Sequence, residues 1–267
     1  MTLAYGSPVD RLLTLGEARL GDWPDYVETF GLDAGHVPEL IRMATDESLN
    51  ASDGESSEVW APLHAWRALG QLHAEPAVEP LSKMLAAAGS YGDWELDDLP
   101  IALGMIGPAA IPSLERIFDD DQLDVSNRSG AVRGLAAVAK HYPASRDAVV
   151  DVLVRRLERY ESQDVELTTW LVDELTELQV TEAASLIEKA FAADRVDISL
   201  RGDWEDVQID LGLLEERVTP RPDYMAKYRR QIDLAAGRPN ASLEKSKAKA
   251  KKKRKDAKAA RKRNRRK

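Results

Sequence analysis

The tripeptide Ala68-Leu69-Gly70 returns as Ala102-Leu103-Gly104, 34 positions on. The stretch behind it returns too, because Ala77-Val78-Glu79-Pro80-Leu81 is answered by Ala110-Ile111-Pro112-Ser113-Leu114 at an offset of 33. A period of this size is that of two helices and their connectors. Neither helix of such a unit can bury its apolar stripe alone, so each copy must be covered by the next.

Apolar residues recur three and four apart where the echo predicts helices: Val59, Leu63, Trp66 and Gly70, then Val78, Leu81, Met84, Leu85 and Ala88. The pattern continues through Val132, Leu135 and Val138, then Val149, Leu153 and Leu157, then Leu167, Leu171, Leu175 and Leu178, and last Ala183, Ile187 and Phe191. It predicts four full pairs between Ser57 and Ala193. Strand-forming alternation of Val, Ile and Thr is missing, and Ala, Leu, Glu and Asp supply a helix-forming palette. The expected fold class is all-α: an α-solenoid of antiparallel helix pairs.

Gly70 and Gly104 follow helical runs and are expected to close them in the left-handed conformation. Pro38, Pro76 and Pro112 are placed at helix starts, where a missing N–H costs little, whereas Pro80 is expected to kink its helix unless that helix begins late. Gly-Asp-Trp occurs at 21–23, 92–94 and 202–204, each time followed by acids. Its Asp is suited to cap a helix N-terminus and its Trp to pack back on the preceding helix. Leu49 to Ser57 and Asp119 to Asn127 read as exposed loops. The expected organisation is capping helices over 1–56, with two or three short helices between Pro8 and Thr45. Repeats follow over 57–202, closing helices over 203–240 (Asp203 to Glu215 and Pro222 to Ala236), and a basic tail over 241–267.

Charge is divided between these segments. Residues 241–267 hold 15 of the 37 Lys and Arg and only 2 of the 46 acids, which leaves 22 bases against 44 acids for residues 1–240. The body is therefore near −22 and the tail near +13. No residue larger than Ala among the apolar ones follows Leu243, so the tail has no face to bury and is expected to be disordered or a fluctuating helix.

The Ala-Leu-Gly echo, followed by a connector and Ala-Val-x-x-Leu or Ala-Ile-x-x-Leu, resembles the HEAT-like repeats named after phycobilisome lyase subunits. The resemblance covers roughly Val59 to Phe191. The segment from Asp22 to Leu81 also looks like a group of bacterial HEAT-like proteins. The resemblance implies a superhelical stack, and it is compatible with scaffolds, adaptors and modifying-enzyme subunits. Some proteins of that type end in a Cys-rich zinc module. This chain has no Cys and keeps only the positive charge of such an ending.

The same lack of Cys removes disulfides, thiolate metal sites and a cysteine nucleophile. Met1 to Asp10 lacks the basic patch and apolar core of a secretory signal, and no apolar stretch approaches bilayer-spanning length, so a cytoplasmic protein is expected. His36, His64, His73 and His141 are too scattered for a ligand pair on one helix face and read as capping or packing residues. The acids Asp93, Glu95, Asp97 and Asp98, and again Asp119, Asp120, Asp121 and Asp124, lack the glycine and terminal glutamate of a calcium loop and read as solvated helix starts. Gly104-Met105-Ile106-Gly107 lacks the Lys and Ser/Thr of a phosphate loop. No catalytic, cofactor or metal residue is expected.

Two binding surfaces are expected instead. Among six Trp, Trp66 and Trp170 are assigned to the core, whereas Trp60 and Trp94 stand near repeat starts and, with Asp93, Glu95, Asp97 and Asp98, are candidates for binding a basic or amphipathic protein partner. Lys251, Lys252, Lys253, Arg254, Lys255, Arg261, Lys262, Arg263, Arg265, Arg266 and Lys267 are candidates for holding a polyanion. With no aromatic residue among them they cannot stack on bases, so nucleic acid would be held by counterion release. The lack of an adjoining apolar anchor argues against stable membrane attachment. The expected function is that of a non-enzymatic interaction scaffold or adaptor. The alternatives are an RNA- or ribosome-associated factor anchored by the tail and, from the resemblance alone, a lyase-like or modifying-enzyme subunit. That last reading requires a His and an Asp or Glu to meet in a pocket.

Overall fold

The structure, a computed structural model, describes residues 5–19, 21, 23–50, 56–89 and 94–235. Among the described residues all regular structure is helical, with 14 α-helices and no strand. Contacts divide the chain into two units, 1–218 and 219–267. The division falls inside the expected closing segment and coincides with a reversal of charge. The second unit holds 20 of the 37 bases and only Asp223, Asp233, Glu244 and Asp256 of the 46 acids, leaving 17 bases and 42 acids to the first. The net charges are thus −25 and +16.

In the first unit the helices are α1 (Tyr26–Phe30), α2 (Val37–Ala44), α3 (Glu47–Asn50), α4 (Ala61–Gln71), α5 (Val78–Ala87), α6 (Trp94–Ile106), α7 (Ile111–Asp119), α8 (Val125–His141), α9 (Arg146–Leu157), α10 (Val165–Glu177), α11 (Ala184–Ala192), α12 (Ile198–Arg201) and α13 (Trp204–Asp210). α14 (Ala226–Ala235) belongs to the second unit. One order recurs four times between Ser57 and Ala193: a first helix (α4, α6, α8, α10), a tight connector, a 3-10 turn, and a second helix (α5, α7, α9, α11). The 3-10 turns are Glu75–Ala77, Pro108–Ala110, Pro143–Ser145 and Thr181–Ala183. First helices pack on one another in sequence, α4 on α6, α6 on α8 and α8 on α10, while α5 packs on α7. One continuous apolar core runs from Tyr5 to Leu211.

The echoing glycines do not end helices. Gly70 lies inside α4 and Gly104 inside α6. They are small because first helices cross there. A Cβ on Gly104 would stand 2.2 Å from that of Ala137 on α8, and one on Gly70 would stand 3.1 Å from Cα of Ala102 on α6. The left-handed residues that close α4, α10 and α11 are His73, Gln179 and Asp194. Each is followed by an amide that reaches back to close the turn: Ala74 to Leu69, Val180 to Leu175 and Arg195 to Ala190, at 2.9–3.1 Å.

Pro80 is harmless because α5 begins at Val78, so the proline occupies the first turn, where its N–H has no intrahelical partner to lose. Pro100 is the true interior proline, in the middle of α6. It removes the donor that the carbonyl of Leu96 would receive, and Arg133 Nη1 on α8 donates to that oxygen at 3.0 Å instead.

Other boundaries also differ from expectation. α7 continues through Asp119 and α8 begins at Val125, so the loop is shorter than Asp119 to Asn127. Asn127 is buried rather than exposed, and its Nδ2 donates to the carbonyls of Leu85 (2.7 Å) and Ala88 (3.0 Å), capping the end of α5. α13 stops at Asp210, short of Glu215, because Gly212 turns left-handed and the amide of Leu213 closes onto Gln208. At 202–204 the Gly-Asp-Trp element behaves as expected. Asp203 caps α13 in a reciprocal pair with Asp206, and Trp204 opens the helix with its ring 6.0 Å from that of Phe191. The capping positions of the other two copies, Asp22 and Asp93, lie outside the described residues, as do parts of the expected Leu49 to Ser57 loop and the whole 241–267 tail.

Candidate protein-interaction site

The Trp60 and Trp94 side chains meet although they are 34 residues apart. Trp60 ends a 3-10 turn, Ser57–Trp60, whose first amides are capped by Ser56 Oγ accepting from Glu58. Trp94 is the first residue of α6. Their rings pack edge to face, with centroids 5.2 Å apart and planes at 87°. Such a pair is worth about 0.5–1.5 kcal/mol beyond its buried area. Both rings are half-buried, and both line a cleft of about 200 Å³ together with Pro62, Leu63, Trp66 and Glu95. Trp66 forms its floor: it is buried, and its indole N–H is spent on the carbonyl of Ala44 at 3.1 Å. The cleft is thus an aromatic recess, large enough for one bulky side chain, with a carboxylate in its wall.

Asp97 is also half-exposed, 3.5 Å from Arg133 Nη1. Asp98 requires a correction. It is 1% exposed and cannot meet a partner. One helical position turns it from the solvent side of α6 to the side facing α4, where Arg67, fully buried, holds it. Arg67 Nε donates to Asp98 Oδ2 at 2.8 Å, Nη2 stands 2.7 Å from the same oxygen and donates to the carbonyl of Arg19 at 2.9 Å, and the guanidinium lies 4.9 Å from the centre of the Trp23 ring. Burial pushes the Asp98 carboxyl upward, and the Arg67 charge and hydrogen bonds pull it back.

Beside this pair, His64 Nε2 faces the carbonyl of Gly16 at 2.9 Å and therefore carries the proton. Its Nδ1 then accepts from the Tyr26 hydroxyl at 2.7 Å. Burial holds the imidazole below its ordinary pKa and raises that of Tyr26. This polar cluster ties the segment carrying Gly16, Arg19, Trp23 and Tyr26 to α4 and α6. A signal for it was present in the sequence, since an arginine inside the apolar run Leu63 to Leu69 demands a buried acid.

His36 and His73 also have structural tasks. His36 Nδ1 accepts from the Asp33 amide at 3.0 Å in a capping box. His73 Nδ1 lies 2.7 Å from the carbonyl of Met105 and 2.9 Å from the Tyr142 hydroxyl, which itself donates to Met105 and Ile106. His141 is held below its ordinary pKa by burial. His73 does share an open groove of about 430 Å³ with Asp25 and Glu28. Among the described residues its ring bonds to Met105 and Tyr142 rather than to either acid, and Asp25 is committed to the amide of Glu28 at 2.8 Å. The groove therefore brings a base and acids near one another without the hydrogen bond that would orient them as a catalytic pair.

The acids near the start of α8 are engaged one by one. Asp119 pairs with Arg156, Asp120 and Asp121 accept from Gln122, and Asp124 caps α8 through the amide of Ser126. Trp170, assigned above to the core, is half-buried and lies under Arg133, whose guanidinium is 5.7 Å from its ring centre. No single helix among the described residues is long and apolar enough to cross a membrane. Asp93 and the eleven candidate cations between Lys251 and Lys267 lie outside the described residues. Comparison of the chain with protein-family models, with curated proteins and with solved structures finds no match.

Proposed function

We propose that this chain is a non-enzymatic interaction scaffold, a HEAT-like stack of helix pairs working in the cytoplasm, that docks a basic or amphipathic protein segment at the Trp60–Trp94 cleft and uses its cationic end to hold a polyanion. The observation that carries the reading is the edge-to-face Trp pair over Trp66 with Glu95 in the wall. A partner that offers one large apolar or aromatic side chain flanked by Lys or Arg complements it twice over. The side chain fills the recess, and the cations meet Glu95, Asp97 and the −25 charge of the first unit. The stacked reading is supported by the fourfold order of helix, connector, 3-10 turn and helix, and by packing of each first helix on the next.

The test is titration of the chain with an amphipathic Leu/Lys peptide, followed by Trp fluorescence and by calorimetry. Trp94→Ala is expected to weaken binding about tenfold, the loss of a central aromatic contact. Glu95→Gln is expected to weaken it less and to flatten its salt dependence. Equal affinity for wild type and Trp94→Ala overturns the assignment.

A further inference from the structure

The second unit contains what the sequence alone did not offer, an apolar face beside the cationic run. α14 starts from Met225, whose carbonyl accepts from the amide of Arg229 at 2.9 Å. Met225, Tyr228 and Ile232 follow at spacings of three and four and so share one side of the helix. They are 49%, 39% and 61% exposed, values far outside those of a packed core. Arg229, at spacings of four and three from Met225 and Ile232, flanks this side and pairs with Asp223, while Arg230 is exposed on the opposite side. The helix leads directly into the segment that gives this unit its 20 bases against 4 acids.

We infer that the Met225, Tyr228 and Ile232 face of α14, together with the cationic sequence that follows it, binds anionic phospholipid. The Met225, Tyr228 and Ile232 face enters the headgroup region and the Lys/Arg run neutralises lipid charge. The inference takes up the cationic end of the proposed scaffold and names its polyanion. Charge alone does not separate lipid from nucleic acid, since an anionic bilayer and a nucleic acid both present arrays of phosphodiester charges. The apolar face does. Aliphatic side chains such as Ile232 and Met225 gain nothing from a phosphate backbone or a stacked base, whereas an interface accepts them, and a tyrosine suits the boundary between headgroup and chain. One weak anchor plus a polybasic segment is the two-signal arrangement by which peripheral proteins bind reversibly.

The test is co-flotation of the full chain with vesicles of equal parts phosphatidylglycerol and phosphatidylcholine, beside vesicles of phosphatidylcholine alone. Its arms are wild type, Tyr228→Ser/Ile232→Ser, and a chain ending at Asn240. Both substitutions are at exposed positions, and circular dichroism verifies that the helical content is kept. Binding is expected only to the anionic vesicles, to weaken with salt, and to fall about tenfold in the double substitution, in keeping with two partly inserted side chains. Truncation at Asn240 is expected to abolish it. Anionic-vesicle binding that is unchanged by the double substitution overturns the inserted face while leaving a purely electrostatic polyanion site. Absence of vesicle binding, with RNA retained by the tail in a gel shift, overturns the lipid assignment and leaves the polyanion reading standing. Failure with both vesicles and RNA overturns the two together.

Discussion

Arg133 Nη1 donates at 3.0 Å to the carbonyl oxygen of Leu96, the acceptor that Pro100 deprives of its own helical donor. A proline in the middle of a helix is tolerated here because the neighbouring first helix supplies the missing hydrogen bond from a side chain. Arg133→Met leaves that oxygen without a donor and is expected to cost about 1–3 kcal/mol in urea unfolding. Pro100→Ala restores a backbone N–H opposite Leu96. The cost of Arg133→Met should therefore shrink by about 1 kcal/mol in a Pro100→Ala background. Additive costs would show that Arg133 acts through Asp97 or Trp170 instead.

The crossing of α6 and α8 allows no side chain at Gly104. Its virtual Cβ lies 2.2 Å from Cβ of Ala137 and 2.9 Å from the Ala137 carbonyl carbon, so backbone as well as side chain would have to move. Gly104→Ala is expected to destabilise by about 2–4 kcal/mol, whereas the same change usually favours a helix interior. Ala137→Gly should recover only part of the loss, because the backbone contact remains. Thermal unfolding of the two single variants and the double variant measures both effects. A stabilised Gly104→Ala would show that the two helices separate freely.

The helical period was legible because burial on one face forces apolar spacing, and the four units between Ser57 and Ala193 follow from it. The role of Gly70 and Gly104 was not legible, since a glycine that ends a helix and a glycine that admits a neighbouring helix leave the same mark in a sequence. The left-handed positions went to His73, Gln179 and Asp194, which carry no such mark. Trp60 and Trp94 are both partly exposed, as their expected places near repeat starts suggest, whereas their packing on one another follows from α4 lying on α6, which no local pattern carries. Asp98 was misplaced because it belongs to a run of acids, and its burial depends on Arg67, 31 residues away. Long-range pairing of this kind is fixed by tertiary packing, not by local pattern.

Removal of Arg67 leaves the Asp98 carboxylate in a site closed to water, so Arg67→Met is expected to cost about 3–5 kcal/mol. Arg67→Met combined with Asp98→Leu removes both charges and should cost clearly less than the sum of the single variants. Arg67 Nη1 has no hydrogen-bond partner among the described residues, so the pair is not fully satisfied, and the double variant forfeits chiefly the bonds to Asp98 and Arg19 and the contact with the Trp23 ring. Urea unfolding of the four members of the cycle gives the coupling energy. Strict additivity would mean that the two residues do not stabilise one another.

His64 gives the fold a specific dependence on pH. Burial lowers its pKa in the folded chain, so between the folded value and the ordinary value near 6.5 the unfolded chain binds the extra proton. Stability from the neutral ring is therefore complete above about pH 6.5 and is lost as pH falls below it, with a slope of at most about 1.4 kcal/mol per pH unit. The structural cause is specific: beyond the cost of burying its charge, a second ring proton at Nδ1 would turn the Tyr26 hydroxyl from donor to acceptor and displace its proton, with the Arg67 charge nearby. His64→Gln keeps a donor and an acceptor but does not titrate. The stability difference between wild type and His64→Gln, measured by urea unfolding at a series of pH values, should be constant above about pH 7 and should fall steadily between about pH 6.5 and 5. His141, also depressed, is present in both proteins and cancels from the difference. A difference that stays level through this window would mean that His64 accepts a proton as readily folded as unfolded, and that the cluster joining Gly16, Tyr26 and α4 can open without unfolding the rest.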